Sequence, residues 1–197
     1  KFNIPEFIVL DKSELLKHVS EEKLANKTAT ELQRTIEDIE LKDELLKHIN
    51  KSFDNASDKT FAVRSSAVNE DGGEFSFAGQ YESYLYVKLE DVPKFVKKVW
   101  CSNFSERVIA YHKSNNIERQ NGIAVIIQEM IDPEVSGVAF GINPNTGEVR
   151  SKVINSVYGV GEGIVSGELN ADSFIINSTK TESNIADKEQ MAKKDAS

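Results

Sequence analysis

The residues with chemical potential lie in three separated stretches. Val63-Arg64-Ser65-Ser66-Ala67 sets an arginine and two serines at the end of an apolar run, ahead of a segment rich in small residues through Gly72, Gly73, Ser76, Ala78 and Gly79. Backbone N–H groups in such a loop can form an anion-binding concavity, and glycine lets phosphate approach closely. A guanidinium on the polar face of the preceding strand can add a bidentate phosphate contact. The competing reading is a surface arginine beside a hairpin loop. The second stretch, Gln128-Glu129-Met130-Ile131, closes an apolar run. Backbone donors and acceptors at a strand end, with polar and apolar side chains alternating, suit an adenine ring, although an ordinary strand terminus reads the same way. The third, Gly159-Val160-Gly161-Glu162-Gly163, sets a carboxylate among glycines, where it can reach a ribose hydroxyl or a metal, or simply stay solvated.

Other chemistries find less support. The three histidines, His18, His48 and His112, lie in helical segments away from any serine or cysteine nucleophile motif, and read as solvated helix residues. Cys101, beside Trp100, reads as a small core residue. No cysteine–histidine spacing suggests zinc. There is no Gly-x4-Gly-Lys-Ser/Thr loop, and the glycines at 159, 161 and 163 do not match the dinucleotide spacing Gly-x-Gly-x-x-Gly.

Elements must carry these residues. All 11 glycines follow residue 71. The stretch before them is rich in Leu, Glu and Lys and reads as helix; the rest reads as strands and turns. Residues 4–10 predict a short strand, and Asp11 or Ser13 can cap a helix near 13–19. Thr28 or Thr30 can cap a helix bearing the stripe Leu32, Ile36, Ile39, Leu46, Ile49 and Phe53, as one helix or two stacked ones with a break near 40–43. Residues 60–67 predict a strand with Phe61 and Val63 on one face and Arg64 and Ser66 on the other. A glycine-containing loop covers 68–80, and Tyr84–Val87 is a further strand. Asp91 can cap a helix reaching about residue 114, with Val92, Phe95, Val96, Val99, Trp100, Phe104 and Val108 on its buried face. From Gly122 the period changes to two, giving strands at 122–131, 136–142, 149–157 and 173–177, with a turn at Asn143-Pro144-Asn145-Thr146-Gly147 and a loop at 158–167. The expected class is α+β, a helix-rich part (1–118) followed by a mainly antiparallel β part (119–180) and a polar tail (181–197).

The same segments carry a resemblance. Val63–Ala67, Glu70-Asp71 and Ser76-Phe77-Ala78-Gly79-Gln80 resemble the N-terminal nucleotide-binding domain of phosphoenolpyruvate synthase and pyruvate phosphate dikinase. The helix from Val99-Trp100-Cys101-Ser102 through Arg107 and Tyr111 is similar to the one that follows in that family. Gln128-Glu129-Met130, Val135–Phe140, Asn143–Gly147, Tyr158–Gly163, Val165-Ser166-Gly167 and Asn170-Ala171-Asp172 continue the pattern in order. The resemblance runs from about residue 4 to 191.

It implies an ATP-grasp-type fold with ATP as ligand. It also implies phosphoryl transfer to a histidine on a swivelling domain, and from there to pyruvate through a third domain. By matched position Arg64 contacts the triphosphate, Gly79 and Ser83 belong to the phosphate-covering loop, Gln128, Glu129, Met130 and Ile131 hold the adenine end, and Glu162 lies close to the nucleotide. The family's N-terminal lysine loop, its later acidic and Gln-x-Arg segments that hold Mg²⁺, and its phosphohistidine domain have no counterpart here. The expectation is therefore a fragment of a longer enzyme, inactive alone, with metal ligands outside this chain. A relative that phosphorylates a rifamycin or a glucan, or a non-catalytic nucleotide-binding module, would share the same domain.

Composition bounds these readings. The chain has 197 residues, a formal net charge of −8 and 39% hydrophobic residues, enough for a core. One cysteine excludes an internal disulfide framework, so nothing asks for an oxidising compartment and a cytoplasmic setting is expected. The acidic balance argues against a general nucleic-acid binder, and no apolar run reaches the roughly 20 residues that span a bilayer.

Overall fold

The computed structural model describes residues 3–53, 56–66, 81–115, 121–166 and 169–186. The chain divides into two units, Lys1–Met130 and Ile131–Ser197.

The first unit is one sheet with helices on one face. Strand β1 (Phe7–Leu10) leads into a single 3-10 turn, Leu15–Lys17, where a helix over 13–19 was expected. Asp11 closes a turn ahead of it, its carboxylate accepting the Ser13 N–H at 2.9 Å, but the 3-10 turn starts at Glu14 with no side-chain cap bond. After α1 (Glu21–Leu24) come α2 (Ala29–Glu37) and α3 (Asp43–Ser52), so the stripe is carried by two helices. Because the helix restarts at Asp43, its buried positions are Leu45 and Ile49, followed by buried Phe53 just past its end, and Leu46 is only half-buried.

Thr28 begins α2 with a capping box: its hydroxyl accepts the Glu31 N–H, and Glu31 Oε2 accepts the Thr28 N–H at 2.9 Å. Removing such a cap costs about 1 kcal/mol. Thr28→Ala is therefore expected to lower the urea midpoint by that amount of stability without changing the slope.

Strand β2 (Thr60–Ser66) pairs with β3 (Ser83–Lys88) and β4 (Ala124–Glu129), giving the antiparallel order β1-β4-β2-β3. Residues 124–129 thus lie in the first sheet, between β1 and β2. The β2–β3 register shifts: Phe61 pairs with Val87 but Val63 with Tyr84, so β3 spends two residues opposite Ala62. Tyr86 sits in this bulge with φ 57°, a left-handed backbone that costs a bulky residue on the order of 1–3 kcal/mol.

Helix α4 (Val92–Ser102) packs on the sheet, and α5 (Glu106–Ser114) follows, where one continuous helix was expected. Asp91 precedes α4 without a side-chain cap bond; Ser105 is the cap that forms, its hydroxyl accepting the Val108 N–H and starting α5. The core holds Phe61, Val63, Trp100, Phe104, Val125 and Ile127, all fully buried.

The second unit is a meander of four antiparallel strands, β5 (Val135–Phe140), β6 (Lys152–Tyr158), β7 (Asp172–Ile176) and β8 (Thr181–Asn184). The turn at 143–147 forms as expected: Asn143 Oδ1 accepts the N–H groups of Asn145 and Thr146, and Gly147 adopts φ 73°. The expected loop at 158–167 contains a short helix, α6 (Glu162–Ser166).

Two histidines are interior, against expectation. His18 has a side chain 1% exposed, its ring 5.9 Å from that of Trp100, and its Nδ1 accepts the Lys42 N–H at 3.2 Å. His112 is also buried. Burial pushes both pKa values below the usual 6.5, and at His18 it outweighs the upward pull of Glu14, whose Oε1 lies 3.4 Å from Nε2. Protonation is therefore favoured in the unfolded chain. The stability these rings contribute is complete above about pH 6.5 and falls as pH drops toward their lowered folded values. Melting temperatures should hold above neutrality and decline below about pH 6.5. His18→Gln, which keeps an acceptor for Lys42, should flatten that decline.

Candidate nucleotide-binding face

Alternation along β2 decides the geometry. Phe61 and Val63 enter the core, and Arg64 stands exposed on the opposite face. Register then sets its neighbours. Arg64 lies across from Ile126 on β4 and from Ser83 on β3, while Ala62 lies across from Gln128. Phe7 and Val9 of β1 pair with Gln128 and Ile126, so they share this face, and they are 50% and 51% exposed. The open face is thus an apolar floor with an amide and a guanidinium set into it.

Among the described residues the Arg64 guanidinium has neither an ion pair nor a hydrogen bond. Glu129 is committed elsewhere: its Oε2 pairs with Lys59 Nζ at 2.9 Å. The N–H groups of Glu129 and Met130 are also taken, donating to the carbonyls of Glu6 (2.9 Å) and Thr60 (2.8 Å). A ring on this face would therefore meet the Gln128 amide and the apolar floor, not those two backbone donors.

Ser83 is the first residue of β3 and is exposed. Gly79 and the rest of the loop at 68–80 lie outside the described residues. Ile131 and Glu162 belong to the second unit, both exposed, with Glu162 the first residue of α6. Its glycine setting is sterically tight. A Cβ on Gly163 would stand 2.4 Å from Leu169 Cδ1, and Gly159 adopts φ 74° with its carbonyl accepting from Ser136 Oγ at 2.6 Å. The glycines at 159 and 163 thus answer local backbone and packing demands.

A guanidinium unpaired among the described residues, beside an apolar floor and an amide, fits a flat heteroaromatic group joined to an anionic chain. Among the described residues no group of three or more His, Cys, Asp or Glu is placed to hold a metal, and no helix is long and apolar enough to cross a membrane. Cys101 is buried, its thiol pushed up to about 12 mainly by desolvation, which removes it as a nucleophile near neutral pH. The bulge at Tyr86 has no mark in the sequence pattern, because Tyr84-Leu85-Tyr86-Val87 reads as a strand in either register.

The architecture is α+β and ATP-grasp-like, helices with two antiparallel sheets. The chain belongs to the pyruvate phosphate dikinase, AMP/ATP-binding domain family, which matches residues 9–197. It is similar to the phosphoenolpyruvate synthase of Aeropyrum pernix, 45% identical over 123 residues, which is 61% of this chain and 15% of that protein. It resembles the prodigiosin synthesizing transferase PigC of Serratia marcescens at 44% over 124 residues, 62% of this chain and 14% of that protein. The rifampicin phosphotransferase of Streptomyces sviceus is 36% identical over 149 residues, 74% of this chain and 17% of that protein. The chain spans less than a fifth of the length of these three relatives.

Proposed function

We propose that the chain is the ATP-binding part of a phosphotransferase that phosphorylates a histidine on a swivelling domain, on the way between pyruvate and phosphoenolpyruvate. The observation that carries this reading is the family match over residues 9–197. Arg64, exposed on its sheet face and unpaired among the described residues, supports it from the side of chemistry. ATP would supply the phosphoryl group. Arg64 would hold its polyphosphate oxygens through charge-assisted hydrogen bonds, with Gly79 and Ser83 at the covering loop. Gln128 to Ile131 would border the adenine, and Glu162 would lie near the nucleotide. The ligands for Mg²⁺, the phosphohistidine domain and the pyruvate domain would come from the rest of a longer parent protein, in the cytoplasm.

A second reading, transfer to a different acceptor, is favoured by the rifampicin phosphotransferase relative. Both predict ATP-dependent turnover, and the acceptor separates them. The parent protein should be assayed with ATP and either pyruvate or rifampicin, following phosphoenolpyruvate, phosphorylated drug and acid-labile protein phosphate. Phosphoenolpyruvate formation with an acid-labile phosphoenzyme is the expected result. Phosphorylated rifampicin alone would establish the second reading, and no ATP consumption with either acceptor would count against both.

A further inference from the structure

The β3 bulge decides what stands opposite Arg64. Counting back from the Phe61–Val87 pair without it, regular antiparallel pairing would set Tyr86 against Ala62, Leu85 against Val63 and Tyr84 against Arg64. The observed register instead sets Tyr84 against Val63 and Ser83 against Arg64. Tyr84 consequently turns to the helix side, its ring 4.9 Å from that of Phe95. Directly paired side chains on a sheet lie within contact reach, and a tyrosine ring beside a guanidinium stacks on it. The extra residue thus exchanges an aromatic ring that would occupy the guanidinium for a serine that leaves it open. The one residue of β3 with a left-handed backbone, Tyr86 at φ 57°, lies inside the bulge. Left-handed backbone at a bulky residue persists only where the surroundings impose it, and bulges commonly re-aim side chains next to sites.

We infer that Tyr86 is a positioning residue: its left-handed backbone holds the bulge that keeps Ser83, not Tyr84, opposite Arg64 and so leaves the guanidinium open to a polyphosphate chain. This rests on the proposed role of Arg64.

The test uses the parent protein with ATP and AMP as titrants, because AMP lacks the outer phosphates. Tyr86→Gly and Tyr86→Val both remove the phenol, but glycine accepts the left-handed backbone and a β-branched residue resists it. Tyr86→Gly should bind ATP within about twofold of wild type. Tyr86→Val should lose about tenfold for ATP with AMP nearly unchanged, the size expected for one weakened charge-assisted contact. NMR cross-strand contacts in the same variant should move from Arg64–Ser83 to Arg64–Tyr84. Ser83→Tyr, which restores a ring opposite Arg64 without touching the bulge, should reproduce the selective loss even if Tyr86→Val does not fold. Equal losses for valine and glycine, parallel losses of ATP and AMP, or unchanged ATP affinity in Ser83→Tyr would overturn the inference. Arg64→Ala runs beside them: unchanged ATP affinity there defeats the Arg64 reading itself, whereas a shifted register with unshifted ATP preference defeats only the role of Tyr86.

Discussion

Alanine at Arg64 is expected to reduce ATP-dependent turnover of the parent protein by about 10- to 100-fold, from the loss of a charge-assisted contact of about 1.5–3 kcal/mol at about 1.4 kcal/mol per tenfold. The side chain stands exposed on β2, opposite Ser83 and Ile126, so its removal leaves no core cavity. Among the described residues it has no ion pair or hydrogen bond whose loss would strand a partner. Surface changes of this kind alter stability by about 0.5 kcal/mol or less, so the melting temperature without nucleotide should hold within about 2 °C. Lysine at the same position keeps the charge but not the fork geometry, and should recover only part of the activity. Full turnover in Arg64→Ala would remove this residue from the site. A large fall in melting temperature would make its role structural.

What could be read beforehand was what local chemistry dictates. Phe61 and Val63 alternate with Arg64, so one strand fixes both the core side and the exposed guanidinium. Thr28 and Thr30 both read as candidate caps for α2, and the box with Glu31 selects Thr28. Long-range pairing left weaker marks. The apolar run at 124–129 is flanked by turn residues at both ends, and nothing local says that it crosses back to lie between β1 and β2.

The α4–α5 break was hidden for a different reason. Asn103, Phe104 and Ser105 donate their N–H groups three residues back, to Trp100, Cys101 and Ser102, so the turn keeps near-helical phase. The spacing of Trp100, Phe104 and Val108 therefore runs through it undisturbed. His112 follows Val108 by four residues and shares its buried stripe, a sign that periodicity offered. His18 gave none, since Trp100 meets it from a distant segment. The Tyr86 bulge is likewise beyond local reading, because it shows only in the pairing of β3 with β2.

Truncation of Trp100 should be the most costly single change in the first unit. It is fully buried on α4, the helix that contacts α2, β2, β3 and β4. Tryptophan-to-alanine changes in cores cost about 3–5 kcal/mol through lost transfer energy and the cavity left behind. At about 2–4 °C per kcal/mol, the melting temperature should fall by roughly 6–20 °C. The indole also carries a cost of its own, because among the described residues Nε1 has no hydrogen-bond partner. A buried donor left unsatisfied costs about 1–3 kcal/mol, which offsets part of what the ring contributes. Phenylalanine keeps most of the apolar volume and removes that donor, so Trp100→Phe should lose much less than Trp100→Ala. Thermal and urea unfolding of the two variants beside wild type check both points. If the phenylalanine variant were as unstable as the alanine one, an unseen bond to Nε1 would be carrying the site. If alanine cost under about 1 kcal/mol, the core would be centred elsewhere than on α4.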